Sequence, residues 1–106
     1  MRSTRPRAPR RREATRASEA DTLERIPNIG PSLAADLRAI GIREPRQLRD
    51  ADPYALYAQL ERVTGMRQDP CVADAFIAAV RFMRGGPPQP WWHCTAERKR
   101  RLADSG

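Results

Sequence analysis

Apolar and turn-forming residues divide this chain into a first stretch without periodicity and a succession of short helices. From Asp21 onward, Leu23 and Ile26 lie three apart in a short helical segment, which Pro27-Asn28-Ile29-Gly30-Pro31 interrupts. Leu33, Leu37 and Ile40 then follow the i, i+4, i+7 spacing of one buried face, and Gly41 ends that helix. A second pair comes next. Glu44 to Ala51 reads as a short helix with Leu48 inward, and Asp52-Pro53 supplies an N-cap and an N1 proline for a helix whose apolar face is Leu56, Leu60 and Val63. Thr64-Gly65 closes it. Asp69-Pro70 repeats the cap for the longest helix, Cys71 to Arg84, with Val72, Phe76, Ala79, Val80 and Met83 on one side, and Gly85-Gly86-Pro87-Pro88 stops it. No segment of residues 19–96 alternates with period two, so the pattern predicts an all-α fold: five helices around one modest core, continued by an extended Pro/Trp strap.

Residues 1–18 lack apolar periodicity and are expected to form a disordered, Arg-rich tail, because they bury too little surface to offset the entropy of ordering. The folded domain is expected over residues 19–96, and a basic C-terminal tail over 97–106. Charge follows the same division. The net charge is +7, yet residues 1–17 hold seven Arg and one Glu, residues 18–96 nine Arg and ten acids, and residues 97–106 four bases and two acids. The expected domain is almost neutral, so the basic ends and the fold need separate explanations.

A length of 106 residues excludes a multi-domain enzyme. No apolar run approaches the roughly 18 to 20 residues that span a bilayer, and no uncharged stretch follows the first arginines as a secretory signal would require. The expectation is a soluble, cytoplasmic protein with no membrane partner. Cys71 and Cys94 are the only thiols, too few for a disulfide scaffold, so both are expected reduced.

The segment Leu23-Glu24-Arg25-Ile26-Pro27-Asn28-Ile29-Gly30-Pro31-Ser32-Leu33-Ala34 resembles the helix-hairpin-helix modules of DNA repair and recombination proteins, which carry Pro-Gly-hydrophobic-Gly with an Ala four residues later. The resemblance implies that Ile29 plugs the space between two helices, that Gly30 adopts a backbone conformation closed to larger residues, and that Ala34 lets the helices approach. It also implies DNA-phosphate binding by the main chain at Asn28, Ile29, Gly30, Ser32 and Leu33. Unpaired N–H groups and the helix dipole suit a phosphate oxygen there, and neither reads a base. Two departures bear on this. Asn28 stands where the family has glycine, although Asn tolerates a left-handed conformation, and Pro31 contributes no N–H. The second hairpin position, Arg49-Asp50-Ala51-Asp52-Pro53, has no glycine and is acidic, so it is read as a degenerate, structural copy.

A longer succession carries a more specific likeness: Asp52-Pro53-Tyr54-Ala55-Leu56-Tyr57, Thr64-Gly65, Asp69-Pro70-Cys71-Val72, Phe76 and Pro90-Trp91-Trp92. It resembles the small bacterial family of pathogenicity-locus proteins, some of which are called mitomycin resistance proteins. The likeness runs from about Leu23 to Lys99 and implies a SAM-like helical bundle with one helix-hairpin-helix. It brings no catalytic residues, and a mitomycin label fits a protein acting near cross-linked DNA.

Other chemistry is weaker. Cys71 sits in the first turn of a helix, where the dipole lowers a thiol pKa, but Asp69 opposes that shift and the single histidine, His93, is far along the chain. Cys71, His93 and Cys94 make three candidate zinc ligands where a structural site takes four, so no metal or cofactor is expected. At least one of Trp91 and Trp92 is expected to supply core in a strap packed across the helices; the alternatives are a stacking platform for an unpaired base or an anchor for a partner protein. Arg10, Arg11, Arg12, Arg98, Lys99, Arg100 and Arg101 have the composition of auxiliary phosphate contacts. The resulting expectation is a non-enzymatic, sequence-independent DNA-binding protein. The alternative is a protein-interaction or scaffold domain with no direct nucleic-acid role.

Overall fold

A computed structural model describes residues 13–105, with side chains described through Arg101; the expected contacts Arg10, Arg11 and Arg12 lie outside it. Among the described residues the architecture is all-helical, with no strand. Four α-helices, α1 (Pro31–Ala39), α2 (Pro53–Thr64), α3 (Pro70–Met83) and α4 (Thr95–Ser105), alternate with 3-10 turns at Ala17–Glu19, Leu23–Arg25, Pro45–Asp50 and Trp91–Cys94. Of the expected helices, the one around Leu23 is a three-residue 3-10 turn, Leu23–Arg25, and the one around Leu48 is a six-residue 3-10 helix, Pro45–Asp50.

The helix starts follow from local chemistry. The Asp52 carboxylate accepts from the Tyr54 amide at 2.9 Å and that of Asp69 from the Cys71 amide at 3.0 Å, each ahead of a proline at the first helical position. Helix α2 ends on Gly65 at φ 69°, ψ 17°, a left-handed residue that lets its N–H reach the Glu61 carbonyl at 2.9 Å. Its final turn projects beyond the core, which is why Val63, expected inside, is 56 % exposed and residues 62–67 all face water.

Helix α3 is the axis of the molecule. From Ala73 to Val80 every side chain is buried, so α3 is enclosed on all sides rather than on one face. One side packs with Leu23, Ile26, Ile29, Leu37, Leu48 and Leu60; another holds Ile77 and Ala78 against Cys94 and Tyr54. The packed unit extends past both expected boundaries. On the N-terminal side Ala14 is buried and donates its N–H to the Arg25 carbonyl at 2.7 Å, although residues 13–18 belonged to the expected tail.

At the other end, α4 replaces the expected C-terminal tail over its described length and is docked by its side chains. Asp74 is fully buried in the middle of α3; Arg98 donates to its two oxygens from Nε at 3.0 Å and Nη2 at 3.3 Å, and the Thr95 hydroxyl donates at 2.7 Å. Glu97 pairs with Arg81, and the Arg101 guanidinium lies 4.4 Å from the Tyr54 ring centroid. Between α3 and α4, Gly86 passes so close to the Arg81 carbonyl that a Cβ there would sit 2.9 Å from that oxygen.

Candidate nucleic-acid interface

Residues Ile26 to Gly30 form a tight turn feeding α1. Ile29 and Ala34 of α1 are buried in the same apolar cluster, and Pro27 is buried as well. The Ile29 amide donates to the Ile26 carbonyl at 3.0 Å, and the first helical bond of α1 runs from Ala34 to the Gly30 carbonyl at 2.9 Å. Outside, Glu24 and Arg38 form a two-pronged ion pair, both contacts 2.9 Å, that ties the two arms of the turn together. Arg38's hydrogen bonds hold the Glu24 carboxyl below its ordinary pKa, and they raise the Arg38 pKa in turn.

The left-handed residue of this turn is Asn28, at φ 74°, and not Gly30. Gly30 has φ −85° and ψ −175°, ordinary extended backbone, and a Cβ there would meet nothing within 4 Å. The expectation that Gly30 fills a conformation closed to other residues is thus corrected: what its missing side chain provides is open space over the start of α1.

The expected donor set also changes. Among Asn28, Ile29, Gly30, Ser32 and Leu33, two amides are already engaged: that of Ile29 inward as above, and that of Asn28 by the Glu13 carboxylate, which accepts at 3.2 Å from fifteen residues away. Gly30, Ser32 and Leu33 remain. Their N–H groups precede the first helical acceptor and have no partner among the described residues, the usual condition of a helix N-terminus. Pro31 and Ser32 are exposed, so this end of α1 faces solvent.

Sequence reasoning missed the role of Asn28's side chain. Its Nδ2 donates to the Gln89 carbonyl at 2.6 Å and its Oδ1 accepts from the Trp91 amide at 3.2 Å. The residue that departs from the glycine pattern therefore straps the Pro-rich segment onto the turn. Neither tryptophan supplies core: Trp91 is 37 % and Trp92 59 % exposed, and Cys94 occupies the buried position of that 3-10 turn. The two indoles meet edge to face, centroids 5.6 Å apart at 86°. Beside them lies a groove of about 310 Å³ lined by Glu13, Pro27, Asn28, Pro88, Gln89, Pro90 and Trp92.

The remaining candidates separate clearly. Arg98, expected as a phosphate contact, is committed to Asp74, while Lys99 and Arg100 are exposed with no partner among the described residues. A second depression of about 370 Å³ is walled by Asp52, Tyr54, Arg81, Arg84, Glu97 and Arg101, but Arg81 is held by Glu97 and Arg84 donates to the Arg49 and Ala51 carbonyls at 2.8 and 3.2 Å. Burial pushes the Cys71 thiol up in pKa, and the hydrogen bond and charge of Asp69 add to that; burial does the same for Cys94. Both shifts disfavour the thiolate. Among the described residues no three metal-ligating side chains converge. No described helix is long and apolar enough to cross a membrane.

Residues 16–100 match the model of the family described as Pathogenicity locus, Cdd1. The chain is also similar to "Mitomycin resistance protein McrB" of Streptomyces lavendulae, with 44 % identity over 90 residues covering 85 % of this chain and 86 % of that protein. No solved structure matches.

Proposed function

This chain belongs to the pathogenicity-locus family, and from that premise we propose that it is a non-enzymatic, sequence-independent DNA-binding protein of helix-hairpin-helix type that acts in mitomycin resistance. The observation that carries the reading is the open start of α1: three amides, those of Gly30, Ser32 and Leu33, and the Ser32 hydroxyl stand together with no partner among the described residues. A phosphate oxygen satisfies such donors and is favoured by the helix dipole, without contact to any base. The neighbouring amide of Asn28 is taken by the Glu13 carboxylate, so the amides that would hold a phosphate are those of Gly30, Ser32 and Leu33 alone. Arg10, Arg11 and Arg12 immediately precede Glu13 in the sequence and bring three positive charges to the chain. The thiols, both shifted toward their neutral forms, favour a binding role over cysteine chemistry.

Fluorescence anisotropy of a labelled duplex against salt tests this in the full chain. Three neutralised phosphates give a slope of log affinity against log salt of roughly −2.7. Gly30→Trp, at a position where an added Cβ meets no atom within 4 Å, should leave the helical circular dichroism intact and weaken duplex binding about tenfold, the loss of ~1.4 kcal/mol of phosphate contact. If Gly30→Trp binds as the native protein does while replacing Arg10, Arg11 and Arg12 by Gln abolishes binding, the hairpin mechanism is wrong. Mitomycin survival of cells expressing the native and Gly30→Trp proteins should diverge in the same direction.

A further inference from the structure

The groove between the turn and the Pro-rich strap has the chemistry of a nucleobase site. Its wall is the exposed indole of Trp92, its borders include the rings of Pro27, Pro88 and Pro90, and the Glu13 carboxylate stands in it as a hydrogen-bond acceptor. Trp92 is not left to wander. The two indoles meet in a T-shaped pair, and the strap that carries both is fixed by the two side-chain bonds from Asn28. An aromatic face held in this way stacks any base, because every base presents a π-face.

The carboxylate makes the groove selective. One oxygen of Glu13 accepts from the Asn28 amide, leaving the other oxygen and a further lone pair to accept from a ligand. Guanine offers two adjacent donors on its Watson–Crick edge, N1–H and the N2 amino group. Adenine and cytosine each present one amino donor beside a ring acceptor, and thymine a single N–H between two carbonyls that the carboxylate repels. A base can show that edge and a free face together only when it is unpaired, as in flipped and single-stranded recognition. The groove volume of about 310 Å³ is ample for one purine and its sugar.

We infer that this groove binds one unpaired guanine of a DNA strand, stacked on Trp92 and held through its Watson–Crick edge by Glu13. The inference rests on the proposed DNA-binding reading and adds to it a base preference that phosphate contact cannot produce. Asn28, which borders the groove, lies three residues before Pro31, the first residue of α1.

Trp91 and Trp92 are the only tryptophans in the chain, so intrinsic fluorescence reports directly on this groove. The full-length protein is titrated with oligothymidylates of about twelve nucleotides, a length within single-strand site sizes, carrying one central dG, dA, dC or dT. The dG strand should quench the fluorescence and bind about fivefold tighter than the all-thymidine strand, with dA and dC between. Glu13→Gln, which keeps an acceptor for the Asn28 amide, should level the four strands to within about twofold while retaining the quench. Trp92→Ala should remove the quench and cost about tenfold in dG-strand affinity, the range set by one lost stack, whereas Trp92→Phe should keep most of that affinity. Trp92 is exposed, so these changes leave the fold intact. Equal affinity for all four strands, or a dG preference that survives both Glu13→Gln and Trp92→Ala, overturns the inference. If duplex binding still falls with Gly30→Trp in that case, the phosphate reading stands alone; if the native chain binds no oligonucleotide, duplex or single-stranded, both are overturned.

Discussion

Removing the Arg98 guanidinium should be the most damaging single change among the charged residues. Asp74 has no exposed surface, and two of its three hydrogen bonds come from Arg98, whose own side chain is only 13 % exposed. In Arg98→Ala the carboxylate stays where α3 places it, with the Thr95 hydroxyl as its one remaining donor. Breaking a buried pair from one side costs about 3–5 kcal/mol, since the surviving charge is left without a counter-charge out of water. A small domain has about 5–15 kcal/mol in total. With a urea dependence near ~1.5 kcal/mol per molar, the unfolding midpoint followed by circular dichroism should drop by about 2 M or more. Conversely, Asp74→Leu with Arg98→Met, which removes both charges and keeps apolar volume, should recover most of the loss. A midpoint for Arg98→Ala within about 0.3 M of native, or a double variant less stable than the single one, would refute it.

Three further outcomes are expected. Asn28→Gly keeps a left-handed residue in the turn but deletes both bonds to the strap, so hydrogen exchange at the Trp91 amide should accelerate while global stability falls by only about 1 kcal/mol, as measured in urea. Gly86→Ala drives a methyl group to 2.9 Å from the Arg81 carbonyl, and the shift of main chain needed to relieve it should cost about 1–3 kcal/mol in the same assay. The pH dependence has a defined sign. Glu24 is lowered chiefly by hydrogen bonds from Arg38, and Asp69 chiefly by the Cys71 amide, so the folded state binds fewer protons than the unfolded one. Their stabilisation is present above the ordinary values, 4.5 for Glu24 and 3.8 for Asp69, and is lost as pH falls through the depressed ones. The urea midpoint should hold between neutrality and about pH 5 and decline below about pH 4.5, with a shallower decline in Glu24→Gln.

What the sequence determined by itself is everything set by neighbours within a helical turn or two. Asp52-Pro53 and Asp69-Pro70 announce their helices because the cap and the proline act on amides one or two residues away. The i, i+4, i+7 spacing of Leu33, Leu37 and Ile40 locates α1, and Asn28 could be assigned a left-handed backbone from its type. An all-α architecture follows from these local signals. Asp74 lies in an otherwise apolar stretch of α3, from Val72 to Val80, and nothing local says that its partner is Arg98.

Tertiary structure decided the rest, since each of those outcomes depends on residues that periodicity cannot relate. Glu13 reaches Asn28 across 15 positions and the Trp91 amide reaches it across 63, and together they convert a simple turn into a turn with a groove beside it. Contacts between residues far apart in sequence also removed Asn28's amide from the expected phosphate donors and Arg98 from the expected basic contacts. Exposure of Val63 and of both tryptophans was undetermined for the same reason: a side chain's face on a helix is fixed by its own backbone, but whether another element covers that face is fixed by where the rest of the chain packs.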